Sequence, residues 1–105
     1  MKTSPQKEIL HAKLNQETSQ IPWQELLRYF ASGIVISVAD DLDLVEVAVH
    51  ISNDDTAVVS CWMEENRLGK VSDEQAQTWL DKNVSLWTVV VKPWILVQEK
   101  KPGLQ

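Results

Sequence analysis

Cysteine is nearly absent from this sequence of 105 residues, which contains only Cys61. A single cysteine excludes an internal disulfide, a zinc-finger ligand spacing and a CxxC redox pair. The scarcity favours a reducing compartment, and we therefore expect a cytoplasmic protein. The N-terminal stretch MKTSPQKEILHAKLNQ has no continuous apolar segment, so we expect neither a signal peptide nor a membrane span.

Glycine is also scarce, with three residues at positions 33, 69 and 103. None of them belongs to a GxGxxG fingerprint, a phosphate-binding loop or a GxSxG nucleophile motif. These absences exclude the nucleotide-binding proteins and serine hydrolases that such motifs define. Gly33 and Gly69 follow predicted helices, and we interpret both as C-terminal helix caps.

Basic residues are missing from the middle of the chain. Ten Lys and Arg stand against fifteen Asp and Glu, which gives a net charge of -5, and the interval from Tyr29 to Asn66 holds eight acids without one Lys or Arg. Binding to a nucleic-acid backbone depends on basic side chains that neutralise phosphates. The charge pattern therefore argues against nucleic acid and favours a basic protein partner.

The chain contains enough hydrophobic residues to form the core of one domain, since 44% of its residues are hydrophobic and 24% are charged. A chain of this length buries a core without disulfides, but it is too short for separate substrate and cofactor domains. We expect a single domain over residues 1–105, with flexible tails at 1–5 and 99–105.

Five helices are predicted from capping residues and apolar spacing. The second carries Trp23, Leu26, Leu27 and Phe30 on a core-facing stripe, and the fourth is expected to run through AVVSCWMEENRL as far as Gly69. The predicted starts are near Ser4, at Pro22, at Asp43 with Glu46 as a capping box, at Asp55 or Thr56, and at Ser72 with Gln75 as a second box.

Strands are predicted in two regions. The segment IVISVA, Ile34 to Ala39, is rich in β-branched residues and predicts a central strand that is buried on both faces. The segment SLWTVVVKPWILVQE predicts sheet on either side of Pro93, with a bend or bulge at an edge, because proline fits neither a primed hairpin turn nor a central ladder. The predicted class is α+β (mixed α/β): four to five helices packed on a small sheet of about three strands.

The third predicted helix has a narrow polar stripe that admits two interpretations. Glu46 and His50 are one turn apart, so a divalent metal bound by them with Asp43 or Asp54 is one hypothesis. The other is structural: the acids cap helix ends, and His50 is solvated or pairs with Glu46 when protonated. We favour the structural interpretation, because a zinc-protease signature needs a second histidine on the same helix.

Five tryptophans are the least ordinary feature of the composition. Trp23 and Trp79 fall on predicted core stripes, and we expect both to be structural. Trp87 and Trp94 lie in the predicted strands beside Pro93, where an outward-facing tryptophan would suit a binding surface. We therefore take Trp87 and Trp94 as the candidate interaction residues.

Two further functions are weighed and not favoured. Cys61 lies in an apolar helix between Ser60 and Trp62, where a free cysteine is expected to be a small buried residue rather than a nucleophile. A helix-turn-helix formed by the helices around Trp62 and Trp79 has a compatible length, but its second helix, DEQAQTWLDK, is acidic and would be repelled by DNA.

Three segments, GIVISVADDLDLVEVAVHISNDD, VSDEQAQTWL and LWTVVVKPWILVQ, together resemble a family of small bacterial proteins, domain of unknown function 2288. The resemblance covers nearly the whole chain after the first helix. It implies a bacterial cytosolic protein, and it brings no catalytic residue to carry over to this sequence.

The sequence as a whole predicts a non-enzymatic interaction module that self-associates or docks a basic protein partner through its acidic middle and an exposed tryptophan. No cofactor, nucleic acid or membrane is expected to bind. The alternative is a divalent-metal-binding protein or metal-dependent enzyme that uses Glu46 and His50.

Overall fold

The computed structural model describes Leu14 and residues 16–99. The predicted first helix, apart from Leu14, lies outside the described residues, as do the predicted tails apart from Glu99. In chain order the described elements are β1 (Ser19–Pro22), α1 (Trp23–Ala31), β2 (Val35–Val38), α2 (Leu44–Ser52), α3 (Thr56–Glu64), β3 (Leu68–Lys70), α4 (Asp73–Asp81), β4 (Ser85–Val91) and β5 (Trp94–Gln98).

The strands form one mixed sheet in the order β1-β4-β5-β2-β3. β2 runs parallel to β5, and the other neighbouring strands pair antiparallel. The predicted α+β class is confirmed, but the sheet has five strands in the described part of the chain instead of about three. β1 and β3 were missed because both are short edge strands. Such strands are not buried on both faces and lack the apolar pattern by which an interior strand is predicted.

β2 is an interior strand, as predicted, with β5 on one side and β3 on the other. Val35, Ile36 and Val38 are all buried, so the strand contributes to the cores on both sides of the sheet. The middle position belongs to β5, which pairs in parallel with β2 and antiparallel with β4.

The prediction of a bend or bulge at Pro93 is wrong. Lys92 and Pro93 form a tight two-residue turn between β4 and β5, in which Val91 pairs with Trp94 and the Lys92–Pro93 peptide bond is cis. The prediction considered only primed turns, whereas the register of the two strands closes directly across Lys92 and Pro93. The two strands therefore form a continuous hairpin in the interior of the sheet.

Each of the helices α1 to α4 ends at a residue with left-handed backbone. Gly33 ends α1, as predicted, with a φ of 78°. The N–H of the terminating residue and that of the next residue bond back to the last turn, as in a Schellman motif. The other terminating residues are Asp54, Asn66 and Asn83.

The predicted fourth helix is therefore too long at its C-terminal end. It stops at Glu64 because Asn66, with a φ of 60°, turns the chain, and the N–H groups of Asn66 and Arg67 bond to the carbonyls of Met63 and Trp62. Gly69 does not cap this helix but lies in β3.

One face of the sheet is covered by α1 and α4. Trp23 and Trp79, from these two helices, are 1% and 3% exposed, and their rings meet edge to face with centroids 5.0 Å apart. The predicted structural role of both tryptophans is confirmed. The Nε1–H of Trp79 donates to Glu99, and this bond joins the residue that follows β5 to α4.

The other face is covered by α2, which packs on β4 and β5, and by α3, which packs on α2 and β3. This core also contains Leu14. It holds the buried residues of α2 together with Ile36 and Val38 of β2, Leu68 of β3, Val89 and Val91 of β4 and Leu96 of β5. α2 therefore lies over the middle of the sheet and α3 over its β3 edge.

Gln98 is a buried polar residue at the end of β5, with 2% of its surface exposed. Its side-chain amide donates hydrogen bonds to the backbone carbonyls of Ala39 and Leu42, at 2.8 and 2.6 Å. These two carbonyls belong to the loop between β2 and α2. A single side chain thus satisfies two acceptors of a half-buried loop and positions the start of α2.

Candidate functional site

The acidic stripe of α2 begins with a helix cap. Asp43 Oδ1 accepts hydrogen bonds from the backbone N–H groups of Val45 and Glu46, at 2.9 and 3.2 Å. α2 has the predicted bounds, and Glu46 lies in its first turn, where the helix dipole favours a negative charge. The Asp43 carboxylate is therefore committed to helix initiation.

His50 is bound to Asp55, a partner that the structural interpretation of the sequence did not name. Its Nδ1 lies 2.8 Å from Asp55 Oδ2, and its ring meets the Trp62 ring edge to face at 5.4 Å. Asp55 is the N-cap residue of α3, as predicted, but its side chain makes no capping hydrogen bond. The pair joins the last turn of α2 to the start of α3.

The four candidate metal ligands are not gathered at one point. Asp43 caps the start of α2, Glu46 lies in the first turn, His50 lies in the last turn, and Asp54 follows the helix with a φ of 61°. Among residues 14 and 16–99 there is no group of three or more His, Cys, Asp or Glu side chains placed to hold a metal ion.

Cys61 is exposed, and the prediction of a buried cysteine is wrong. The reason is the position of α3 at the edge of the sheet, where in the described structure none of its nine residues is buried. The negative charge of Glu65 raises the pKa of the Cys61 thiol above its ordinary value, and the Sγ–H donates to Glu65 Oε2 at 3.7 Å. This environment favours the thiol over the nucleophilic thiolate.

Strand β3 occupies the place where a helix-turn-helix would have its turn. α3 ends at Glu64, β3 covers Leu68–Lys70, and α4 starts at Asp73. α4 lies on the sheet and buries Ala76 and Trp79 against it, and Ser72 caps its start by accepting from the N–H of Gln75. The two helices are therefore separate packing units on opposite faces of the sheet.

The two candidate interaction residues lie on the same face of the sheet and are both half-buried. Trp87 of β4 lies opposite Gln98 and packs against the core between the sheet and α2. Trp94 follows the Lys92–Pro93 turn and packs against the same core, but it also forms the wall of an open surface cavity. Trp94 therefore borders a surface that a partner can reach without unfolding the hairpin.

An apolar groove runs along this wall, under α3. Its first part is a cavity of about 180 Å³ with a lining that is almost entirely apolar. It adjoins a second cavity of about 190 Å³, with which it shares Ile51, Val59 and Trp94. We call the two parts together the Trp94 groove; its further lining residues are Ile36, Met63, Leu68 and Lys70 in the first part and Asp54, Asp55, Thr56 and Ser60 in the second.

Met63 forms the outer wall of the groove and is unusually exposed for an apolar side chain. Half of its surface, 50%, is accessible, whereas Val59 one turn earlier is half-buried. The i, i+4 spacing of Val59 and Met63 aligns both on the groove side of α3. These two residues were not selected from the sequence. Their i, i+4 spacing beside Trp62 nevertheless indicates an apolar face on this helix.

Charge differs between the two ends of the groove. Asp54 and Asp55 lie at the end nearest the start of α3, and Lys70 lies at the β3 end. The other nearby base, Arg67, is engaged by Asp41 and Glu65 at 3.0 Å each. Hydrogen bonds and charge from Glu65 and Asp41 raise the pKa of Arg67, so this guanidinium is held in place as a cation.

The fold and the groove define a small α+β domain with a mixed sheet, helices on both faces and an apolar surface groove at one edge. The family model described as Protein of unknown function (DUF2288) matches residues 9–99, and the chain belongs to this family. The resemblance seen in the sequence is thereby confirmed.

A solved structure of high similarity is the NMR solution structure of PA1075 from Pseudomonas aeruginosa. The two chains share 38% sequence identity with a TM-score of 0.78, and the alignment covers 100% of this chain and 97% of that one. No curated protein matches the chain. Within the described part of the chain, no helix combines the length and the apolar character needed to cross a membrane.

Proposed function

We propose that this protein is a cytoplasmic, non-enzymatic interaction module that binds a basic partner protein in the Trp94 groove. The observation that carries the proposal is an apolar surface groove walled by a half-buried tryptophan and a methionine that is 50% exposed. Tryptophan and methionine are enriched at the centres of protein interfaces, and contiguous apolar surface marks sites of association.

The charge of the surrounding surface supports a basic partner. α2 and α3 lie in the interval from Tyr29 to Asn66, which contains eight acidic residues and no Lys or Arg. Asp54 and Asp55 bring two of these acids to the rim of the groove. A negative field of this kind raises the association rate of a positively charged partner and repels an acidic one.

The chemistry at Cys61 supports a role without covalent catalysis by this residue. The thiol is exposed, but its pKa is raised by the neighbouring Glu65, so its nucleophilic form is disfavoured. The single cysteine also supports the cytoplasmic location.

The proposal is tested by cross-linked capture from a bacterial lysate with three baits: the wild-type protein, Met63→Glu and Val90→Glu. Met63 and Val90 are the two exposed large apolar side chains in the described residues, at 50% and 51%, and only Met63 lines the groove. Both variants add the same charge at equally exposed positions. A partner retained by the wild type and by Val90→Glu, but lost from Met63→Glu, is the expected result.

Capture that is the same with all three baits would contradict the proposal, because binding would then not involve the groove. Light scattering on the same three proteins tests self-association. We expect the mass of a monomer for each protein, and a dimer that dissociates in Met63→Glu would show that the groove binds a second copy instead.

A further inference from the structure

The outer edge of β3 is open among the described residues, because β3 is the last strand of the sheet. The N–H of Ala39 donates to the carbonyl of Arg67, at 2.9 Å, which makes these two residues a hydrogen-bonded pair. In an antiparallel ladder such pairs alternate, so Gly69 is bonded to Ser37, its partner in β2. The N–H and C=O groups of Leu68 and Lys70 consequently point away from β2. Lys70 is exposed at this edge, whereas Leu68 is only 4% exposed.

Cavities lie on both faces of this open edge. The Trp94 groove is on the α3 face, and a cavity of about 250 Å³ with a mostly polar lining is on the other. Leu68 and Lys70 line both. Side chains of a strand alternate between the two faces of a sheet, so a strand added to β3 would direct successive side chains into the two cavities.

The polar cavity exists because position 69 has no side chain. Gly69 lies beside Ser37, and a Cβ built on Gly69 would meet no atom within 4 Å. Ser72 and Gln75, from the start of α4, supply hydroxyl and amide groups on the far wall. This cavity therefore accepts a polar side chain, whereas the Trp94 groove accepts an apolar one.

We propose that the partner binds as an extended segment that adds a sixth strand to the outer edge of β3, with an apolar side chain in the Trp94 groove and the next, polar side chain in the cavity at Gly69. This inference rests on the proposed function and specifies how the same groove is used. Main-chain hydrogen bonds to Lys70, the exposed residue of this edge, supply affinity, and the two cavities supply specificity.

The occupant is a basic segment of a different protein and not a second copy of this chain. α3 packs against β3, so symmetric pairing of two β3 edges would bring together two α3 helices, each with Glu64 and Glu65 near its end. Each copy also carries a net charge of -5. A segment with Lys or Arg beside its apolar anchor instead meets Asp54 at the far end of the groove.

The experiment uses a phage-displayed library of random peptides selected on the wild-type protein, followed by calorimetric titration of the selected peptide. We expect peptides with an apolar residue, a polar residue next to it and flanking Lys or Arg. Binding should protect the amide hydrogen of Lys70 from exchange. A library that yields no binder, or a bound peptide that leaves this amide unprotected, would overturn the proposal.

Two substitutions separate main-chain pairing from side-chain contacts. Lys70→Pro removes an outward N–H without removing a bond to β2, and proline is tolerated at such edge positions. We expect it to weaken peptide binding about tenfold, whereas Lys70→Ala, which keeps the N–H, changes the affinity less than about threefold. Equal losses in both variants would mean that the lysine side chain, and not the backbone, binds the peptide.

Gly69→Val provides a second line of evidence that does not depend on a proline. The new side chain enters open space, so the domain should stay folded, but the polar cavity is filled and peptide affinity should fall about tenfold. Unchanged affinity would contradict the use of this cavity.

Failure of the two proposals can be told apart. Loss of binding in Met63→Glu, with unchanged binding in Lys70→Pro and Gly69→Val, would retain the groove and reject strand addition. Unchanged binding in Met63→Glu would reject the groove itself.

Discussion

α2 and α3 follow one another directly and have nine residues each, yet in the described structure five residues of α2 are buried and none of α3 is. Both helices are rich in valine and both follow an aspartate. The difference lies in what is beneath them: α2 covers β4 and β5 in the sheet interior, and α3 reaches over the β3 edge. Two valine-containing helices of equal length therefore differ in burial: α2 covers a core, and α3 leaves apolar side chains accessible to solvent.

The comparison also extends to how each helix begins. The start of α2 is held by the Asp43 cap and by the two hydrogen bonds from Gln98 to the preceding loop. At the start of α3, Asp55 bonds to His50 and makes no side-chain cap. The helix that seals the core is thus the one whose start is fixed by more hydrogen bonds among those described.

The largest expected effect comes from replacing one apolar side chain in each helix by alanine. Leu44→Ala in α2 opens a cavity in a fully buried site and should lower the free energy of unfolding by about 2 to 5 kcal/mol. Val59→Ala in α3 removes a half-buried side chain and should cost less than about 1 kcal/mol. Urea denaturation of both variants measures the difference, and equal losses would show that α3 is as much part of the core as α2.

Gln98→Leu is expected to have the next largest effect. It leaves the carbonyls of Ala39 and Leu42 without their donor, which should lower the free energy of unfolding by about 1 to 3 kcal/mol. Gln20→Leu, on the exposed β1 edge, is the control and should change it by less than about 0.5 kcal/mol. Similar urea midpoints for the two variants would refute the role of Gln98 in positioning α2.

Removal of the α2 cap has a smaller expected effect. Asp43→Ala loses the acceptor for two N–H groups and should cost about 1 kcal/mol, whereas Asp43→Asn retains an acceptor oxygen and should cost much less. Thermal unfolding followed by circular dichroism measures both. Should the alanine and asparagine variants melt at the same temperature, the cap would not stabilise the helix.

The smallest expected effect concerns Cys61, on the exposed side of α3. Glu65 raises the pKa of this thiol, so removing its charge lowers the pKa and increases the thiolate fraction at pH 8. Glu65→Gln should therefore speed alkylation of Cys61 by iodoacetamide by roughly twofold, because charge interactions between exposed groups are weak. Glu25→Gln, in α1, is the control with the same charge change. A slower reaction in Glu65→Gln would mean that Glu65 lowers the pKa of Cys61 and does not raise it.

Local signals predicted much of this fold correctly. The bounds of α2 followed from Asp43 and its apolar residues, the start of α4 from Ser72 and Gln75, and the end of α1 from Gly33. These features depend on capping side chains, or on a glycine with left-handed backbone, that act on backbone groups within a few residues. They can be predicted from sequence because the interacting groups are neighbours along the chain.

The candidate site was predicted only in part. Trp94 was selected from its place beside Pro93, but Ile51, Val59 and Met63 come from other elements and meet it through the tertiary fold. For His50 the sequence predicted solvation or, when the ring is protonated, pairing with Glu46; the turn at Asp54 additionally brings Asp55 to its Nδ1. A helical wheel cannot anticipate a contact that forms where the helix has ended.

The sequence by itself determined the family, the α+β class, the Asp43 and Ser72 caps and the two buried tryptophans, because each depends on composition, apolar spacing or interactions between residues close in the chain. Only the tertiary structure decided the strand order, the edge position of β3 and the opening of the Trp94 groove. Those properties depend on which elements lie side by side, and an edge strand such as β3 takes its conformation from pairing with β2 more than from its own three residues.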